Sequence, residues 1–467
     1  MDPFKQVIII GGGFSGALIA SHLARNAPFG QLKITMINPT PHIGPGLAYR
    51  FDDDNLLLNV PAGNMSALAD EPGHFVAYCQ RIDPSFSSGS FVSRRLYGQY
   101  LKDMWAQTQA AHPGVIDVHG DEAVTLNRIA GSSAWNVALA SGQSLKADHV
   151  VIATGHQAPG FPVPLDPESR ACVIDPWDFA AMHQQTSDHP VVIVGTGHTA
   201  VDALLCLAQS KTRRRIYLLS RHGLLPHRHR LSPAQPKPHP FPDYLRDVPA
   251  TARAYTRSLR QHLSAVEQQG VDWRDALNEL RPHTPSLWQS LPAAEQRRFL
   301  RHLQAHWDVH RHRLAPMAAQ RLEHIVASGQ AHLLAGRILS LKKVADGIVV
   351  EYRPRGADHV ETLHASAVIN CTGPNTNIQR QANPLLAQLL RAGLIQPDVH
   401  GLGLKVTTDC QVINAQQQTV DGLWYVGPLL KATLWEATAV PELRVHARRL
   451  ARTFLNRLEL PAAQASP

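Results

Sequence analysis

At 467 residues, with 44% apolar and 18% charged residues and no low-complexity tract, the chain is a folded protein of two or three domains, and a fibrous or largely disordered one is excluded. The formal net charge of +8 is uneven: residues 211–230 hold seven Lys or Arg and no acid, and residues 297–313 are nearly as basic, a pattern that reads either as a solvated face or as a sink for anions. Five scattered cysteines with no C-x-x-C pair exclude a disulfide framework, a structural zinc site and a redox dithiol, and the opening "MDPFKQ", without a leader or any apolar run near ~20 residues, sets the expectation of a cytoplasmic protein with no membrane partner.

The first element is an apolar strand over Val7–Ile10, followed by "GGGFSG". Here Gly11, Gly13 and Gly16 fall at G-x-G-x-x-G spacing, with Phe14 and Ser15 in the turn and the helix "ALIASHLAR" behind it. Such glycines allow a tight turn and let backbone amides meet a pyrophosphate at the helix N-terminus. The next strand, "LKITMIN", ends at Asn38, 22 residues after Gly16, where this arrangement places a ribose-binding side chain that is usually acidic. "LLLNVPAGNMSA" puts Asn59 and Pro61 on a loop, either as a plain turn or as a ligand contact. The strand-like runs "VIDVHGDEAVTLNRIA", "WNVALASG" and "SLKADHVVIATG" then lead to a Thr-Gly turn at Gly155, with His156 just beyond it.

The order then repeats. "HPVVIVG" precedes Gly195, Gly197, His198 and Ala200, the helix "TAVDALLCLAQ" follows, and "RRRIYLLS" ends at Ser220 and Arg221, 21 residues past Ala200. An Arg at this position favours a 2′-phosphate over a bare ribose diol, so NADPH is preferred to NADH for this half. A helical insertion over about 235–325, with amphipathic stretches "TARAYTRSLRQHLSAVEQQ" and "AAEQRRFLRHLQAHW", is expected to cap a cleft. After it come "AHLLAGRILSLKKV", "GIVVEYRPRG" and "TLHASAVINCTG", which ends in a second Thr-Gly turn at Gly373.

The fold class read from this repeat is α/β, with two Rossmann-like dinucleotide-binding domains, each carrying a β-meander, plus the helical insertion. The expected boundaries are 1–165 and 360–467 for a discontinuous FAD domain and 166–359 for an NAD(P)H domain between its parts. Two such units in one chain imply that one retains FAD and the other brings a nicotinamide nucleotide to reduce it.

"GGGFSG", "ATG", "GTGHTAVD" and "CTG", in that order, resemble flavoproteins with two dinucleotide-binding domains, the group that contains Baeyer–Villiger, flavin-containing and N-hydroxylating monooxygenases. "GPGLAYRFDDDNLLLNVPAGNMSALADEPGHFVAYC", "FVSRRLYGQYL", "SRHGLLP", "LRPHTPSLWQSLPAAEQRRFLRHLQAHWDVHRHRLAP" and "GLWYVGPLLKATLWEATAVPELRVHARRLA" are similar to bacterial FAD/NAD(P)-binding proteins that include a FAD-dependent urate hydroxylase. The resemblance implies FAD contacts at Gly11, Gly13, Gly16 and Gly155, and NAD(P)H contacts at Gly195, Gly197, Ala200 and Arg221. It also implies a closing strand "YVGP" at the flavin, where Gly427 and Pro428 replace the more usual Gly-Asp, and a helix over "LWEATAVPELR" whose start brings Trp435 and Glu436 to the ring system. Asn59 and Glu436 are the candidate catalytic residues. The implied activity is hydroxylation of a small anionic substrate with O₂ through a C4a-hydroperoxyflavin, and urate conversion to 5-hydroxyisourate is the specific expectation. A reductase passing electrons to a carrier, and a nucleotide-sensing or nucleic-acid-associated flavoprotein, are the alternatives. No nucleic-acid partner and no metal are expected: His306, His310 and His312 lack a carboxylate or cysteine placed to complete a ligand set and read as packing or an anion-binding wall.

Overall fold

The computed structural model describes residues 4–28, 30–185, 187–210, 212–231, 239–380 and 383–457. The closing "PAAQASP", where disorder is expected, lies outside them.

The run of Ile and Val after Lys5 has no polar alternation, which suits a strand covered on both faces. It forms β1 (Lys5–Ile10), parallel to β2 (Leu32–Ile37) with Val7 beside Ile34, and β3 (Ile116–His119) continues the sheet beyond β2. β4 (Ala123–Arg128), β5 (Trp135–Leu139) and β6 (Ser144–Ala147) form a separate antiparallel meander, and β7 (His149–Ile152) returns to the other side of β1. The helix Phe14–Asn26 is buried from Phe14 to Ala24, packed beneath this sheet and against the helices Arg94–Ala111 and Val440–Arg457.

The second unit contains β8 (Val173–Ile174), β9 (Val191–Val194), β10 (Ile216–Ser220), β11 (Ala331–Val344), β12 (Gly347–Pro354), β13 (Glu361–Ala365) and β14 (Ala367–Asn370), in the sheet order β13-β12-β11-β10-β9-β14-β8. β11 is long enough to run parallel to β10 at one end and antiparallel to β12 at the other, so this meander is fused to its parallel sheet. The chain then returns to the first sheet through β15 (Gln411–Ile413) and β16 (Thr419–Tyr425), giving the order β15-β16-β7-β1-β2-β3. The architecture is thus two nucleotide-binding α/β units, the first discontinuous in sequence.

Four sequence expectations change in detail. β13 and β14 belong to the second sheet, so the return to the first unit falls after Asn370 and not at 360, because Ala367–Asn370 pairs with Val191–Val194. The runs "SLKADHVVIATG" and "TLHASAVINCTG" are each two strands, broken at Asp148 and Ser366. The Asp148 amide donates to the Gln6 carbonyl and its carboxylate accepts from the Gln6 amide, and the Ser366 amide donates to the Pro190 carbonyl, so both breaks are anchored at the start of the glycine-loop strand. The insertion ends earlier than 325, since Pro316–Ala327 is the crossover helix of the second unit, packed on the helix His198–Ala208 and leading into β11. Finally, residues 434–439 form turns and the helix begins only at Val440, because the preceding chain is held by side chains of the insertion.

Candidate functional site

Both glycine loops sit at the C-terminal ends of the central strands of their sheets, the place where open α/β sheets bind ligands. Gly11 (φ +110°) and Gly195 (φ +113°) occupy a conformation that side chains disfavour, and a Cβ on either would strike the backbone carbonyl of Ala153 or Cys371, one residue past the neighbouring strand. A Cβ on Gly16 would fall on the Gly11 carbonyl oxygen, whereas Ala200 is accommodated at the matching point of the second loop, fully buried.

Gly13 and Gly197 behave differently. Their φ angles, −72° and −80°, suit any residue, the nearest atom to a Cβ on Gly13 is Gly46 Cα at 3.6 Å, and nothing lies within 4 Å of one on Gly197. Neither fold strain nor packing within the protein requires glycine here, and the space at both positions is open to a ligand. Each of the two is the N-cap of its helix without a side-chain cap, so the first-turn amides of Phe14, Ser15 and Gly16, and of the helix opening at His198, face the ligand side unpaired. The residues present therefore fit two dinucleotides.

Asn38 braces the first loop: its Oδ1 accepts from the Gly12 amide at 2.9 Å, and its Nδ2 donates to the Thr40 carbonyl at 2.6 Å. In the second loop the Thr196 hydroxyl donates to Ser220 Oγ at 3.0 Å, which also accepts from the Gly223 amide. Beyond Ser220, exposed Arg221 lies beside His222, whose Nδ1 is 2.9 Å from Arg355 Nη1 and whose ring centroid is 6.1 Å from that of His306. Burial and the nearby Arg355 and Arg221 hold the His222 pKa down, so His222 accepts from Arg355 and the local charge resides on the two guanidiniums.

The units meet at a charged seam. Arg94, on the first-unit helix Arg94–Ala111, pairs with Asp202 of the helix behind the second loop at 2.7 Å, and Arg321 donates to Asn55 Oδ1 at 2.9 Å. Between these ties runs the Asn55–Asn59 loop, with Leu57 packed on the second core and Leu58 in the first. Asn59 is half-buried there and its side chain makes no hydrogen bond among the described residues.

The insertion docks onto the first unit. Trp288 Nε1 donates to the Ala432 carbonyl at 3.0 Å, Gln289 Nε2 to the Thr433 carbonyl at 2.9 Å, and Arg281 holds Glu442 through Nε and Nη2 at 2.5 and 2.9 Å. Burial opposes the Arg281 charge, but Glu442 outweighs it and keeps its pKa above the usual value. Glu436 is 3% exposed and its carboxylate lies 3.1 Å from Arg311 of the insertion helix Gln304–Arg311. Gly427 (φ +135°) and buried Pro428 open the short turn that precedes this segment, and the Leu429 amide donates to Tyr425 Oη at 3.1 Å.

Histidines of the first Thr-Gly turn, the second loop and the insertion all have lowered pKa values. His156, past Gly155 (φ +68°), has its pKa lowered to about 4 by desolvation and by Lys431. His312 is held well below its ordinary value by burial, then by Arg311, with contributions from His198 and Lys431. His198 is itself kept neutral by burial, with Nε2 3.1 Å from the Arg313 carbonyl. Asp308 is raised by burial, with Lys431 opposing.

Much of the basic excess does not form an anion wall. Arg214 is fully buried against the Gln185 carbonyl, Arg313 donates to Asn278 at 2.7 Å, and Arg230 pairs with Asp275. His310 Nδ1 is bonded to the His306 carbonyl and its ring lies tilted against that of His227, centroids 4.4 Å apart, while His312 turns towards Asp308 at 3.9 Å; among the described residues no three His, Cys, Asp or Glu side chains converge as metal ligands. No described helix is long and apolar enough to cross a membrane. Sequence reading missed Arg94, Asp202, Arg281, Glu442, Trp288 and Arg355; only Asp202 carried a signal, an acid inside an otherwise apolar helix behind a glycine loop.

Residues 8–157 match a protein family described as FAD-NAD(P)-binding. An uncharacterized protein of Mycobacterium tuberculosis is 26% identical over 292 residues, 59% of this chain and 52% of the relative, so the matched region spans about half the length of that relative. The reduced form of ornithine hydroxylase from Pseudomonas aeruginosa superposes with a TM-score of 0.64 at 15% identity, covering 97% of this chain and 100% of that one. L-lysine 6-monooxygenase from Pseudomonas syringae gives 0.64 at 16%, covering 97% and 99%. At such identities the likeness is one of fold, and it spans both units and the insertion.

Proposed function

We propose that the chain is a flavin-dependent monooxygenase: the first unit holds FAD, the second binds NAD(P)H with NADPH preferred, and a small organic anion is hydroxylated where the units and the insertion meet. The observation that carries this reading is the paired cradle, Gly13 and Gly197, each open at the Cβ position and each heading an uncapped helix in units joined through Arg94 and Asp202. Similarity in fold to the ornithine and lysine hydroxylases supports it.

A bound flavin would supply hydride acceptance from the nicotinamide and the activation of O₂. The chain's own part is placement and exclusion. The amides after Gly13 and Gly197 hold the two pyrophosphates, and Arg221 with Arg355 clasps the 2′-phosphate. Lys431 provides positive charge for an anionic substrate, while neutral His156 and His312 each keep one ring nitrogen unprotonated as an acceptor at neutral pH. Asn59, whose side-chain amide has no partner among the described residues, is the polar group at the seam assigned to touch substrate or cofactor. Glu436 acts as a positioning residue, holding the insertion on the first unit through Arg311 and so excluding water.

The test is oxygen consumption by purified, flavin-loaded protein with NADPH and a panel of organic anions that includes urate. Product hydroxylation stoichiometric with NADPH supports the reading. Flavin bleached by NADPH and reoxidised only by an added electron carrier assigns a reductase; protein that retains no flavin defeats both.

A further inference from the structure

The arginines of the insertion fall into two groups. Arg274, Arg281, Arg311 and Arg313 are spent on Asp272, Glu442, Glu436 and Asn278. Arg253, Arg257 and Arg260, on the helix Ala252–Gln268, are exposed and have no hydrogen-bond or ion-pair partner among the described residues. Their spacing of i, i+4 and i+7 sets all three on one face, over about 10 Å of helix axis. No acid occurs between residues 252 and 266, so the repulsion of like charges four apart is unrelieved within the helix.

This face lines a groove of about 860 Å³ against the helix Ala293–His302. Arg298 and His302 line it from the other helix, and the Thr256 hydroxyl in it is turned to the Ala252 carbonyl at 2.7 Å. The acid of the lining, Glu295, is 8% exposed; it accepts from the Ala252 amide at 3.0 Å and pairs with Arg298. Its charge is therefore answered within the protein, and three guanidiniums remain unanswered. No lining residue belongs to either glycine loop, to the Asn55–Asn59 loop or to residues 427–436, so the groove is apart from the positions assigned above and does not rest on that reading.

Size, donor type and charge select the occupant. A concave space of several hundred cubic ångströms suits a small molecule. Residues 239–330 hold twelve Arg and no Lys, and the planar guanidinium matches an oxyanion through paired N–H donors. Three such groups in a row call for several negative charges in one compact ligand, which a phosphoanhydride chain supplies and a single carboxylate does not. We propose that this groove binds a compact polyphosphate, either the di- or triphosphate chain of a nucleotide or inorganic polyphosphate, with Arg253, Arg257 and Arg260 as its ligands.

The test is isothermal titration calorimetry of the full chain, at about 0.15 M salt, with tripolyphosphate, ATP, citrate, oligoglutamate and a short single-stranded RNA. Tripolyphosphate and ATP are expected to bind at least about tenfold more tightly than citrate, and the tighter of the two identifies the source of the phosphate chain. Arg257→Gln and Arg260→Gln, both at exposed positions, are each expected to weaken that ligand about fivefold to tenfold. Arg391→Gln, which removes an exposed charge on the first-unit helix Pro384–Arg391, and Arg221→Ala, at the second glycine loop, are expected to change it by less than about twofold. Loss of binding in Arg221→Ala with none in the groove variants would assign the anion to the second loop, and equal weakening by Arg391→Gln would make it a general charge effect. Either result overturns the proposal, as does citrate, oligoglutamate or RNA bound at least as tightly as both polyphosphates.

Discussion

Arg94 and Asp202 stand 2.7 Å apart across the seam between the two units, each side chain only 12% exposed. They are 108 residues apart in sequence, one on a helix of the first unit and one immediately behind the second glycine loop. Burial raises the Asp202 pKa and Arg94 pulls it back. The pair thus fixes the second cradle relative to the first.

Arg94→Ala should destabilise the protein by about 2–3 kcal/mol, because it strands a buried carboxylate. Without the guanidinium the folded-state pKa of Asp202 rises further above its unfolded value, so stability is retained at low pH and lost as pH rises through the folded pKa. Chemical denaturation at pH 4.5 and pH 8 checks this: the deficit against wild type should grow with pH, and Asp202→Asn in the same background should remove the pH dependence.

Gly13→Ala and Gly16→Ala should separate cofactor binding from folding. The first adds a methyl group to open space at an ordinary φ, so thermal stability without cofactor should stay within about 2 °C while flavin retention falls at least about tenfold. The second drives a methyl into the Gly11 carbonyl and should lower both. Equal flavin affinity in Gly13→Ala would show that no ligand occupies that space.

Arg221→Ala and Arg355→Ala should each weaken NADPH by about 1.5–3 kcal/mol and leave NADH nearly unchanged, since a charged hydrogen bond to a phosphate is lost in each. As the two share one ligand group, the double substitution should cost less than the sum. Steady-state KM values for both nucleotides give the comparison.

Glu436→Gln should cost about 3–5 kcal/mol by leaving Arg311 charged and buried, whereas Glu436→Gln with Arg311→Met should recover most of it. Urea unfolding of the single and double variants measures this. A single variant of wild-type stability but with a shifted pH-rate profile would instead place the carboxylate at the reacting atoms.

Acid should unfold the protein through its buried histidines. His22 and His446, 4% and 9% exposed, have pKa values lowered to about 4, in both cases first by burial. A depressed folded pKa means stability that is present above the unfolded value near 6.5 and lost as pH falls towards 4, up to about 3 kcal/mol for each. His446→Leu should flatten that slope, as followed by denaturant midpoints between pH 7 and 4.

Local order fixed much of the fold. Val7–Ile10 and Val191–Val194 form the strands their apolar runs imply, and the glycines at 11 and 195 stand where tight turns demand them, since these depend on residues adjacent in the chain. The repeated order of loop, meander and Thr-Gly turn was enough to divide the chain into two nucleotide-binding units. What failed were inferences about ends. "LWEATAVPELR" has helical spacing, yet its first half forms turns: Arg311 pairs with Glu436 within it, and Trp288 and Gln289 bond Ala432 and Thr433 just before it, none of the three nearby in sequence.

The amino-acid order by itself determined where backbone must approach a phosphate closely, because only glycine permits that geometry and its spacing is covalent. Tertiary structure alone decided which charges are paired and which are free. Arg311, Arg313 and Arg214 read as surface cations but are buried within the protein, while Arg355 meets His222, 133 residues away in the chain. Pairing and burial depend on through-space neighbours, and no local pattern records them.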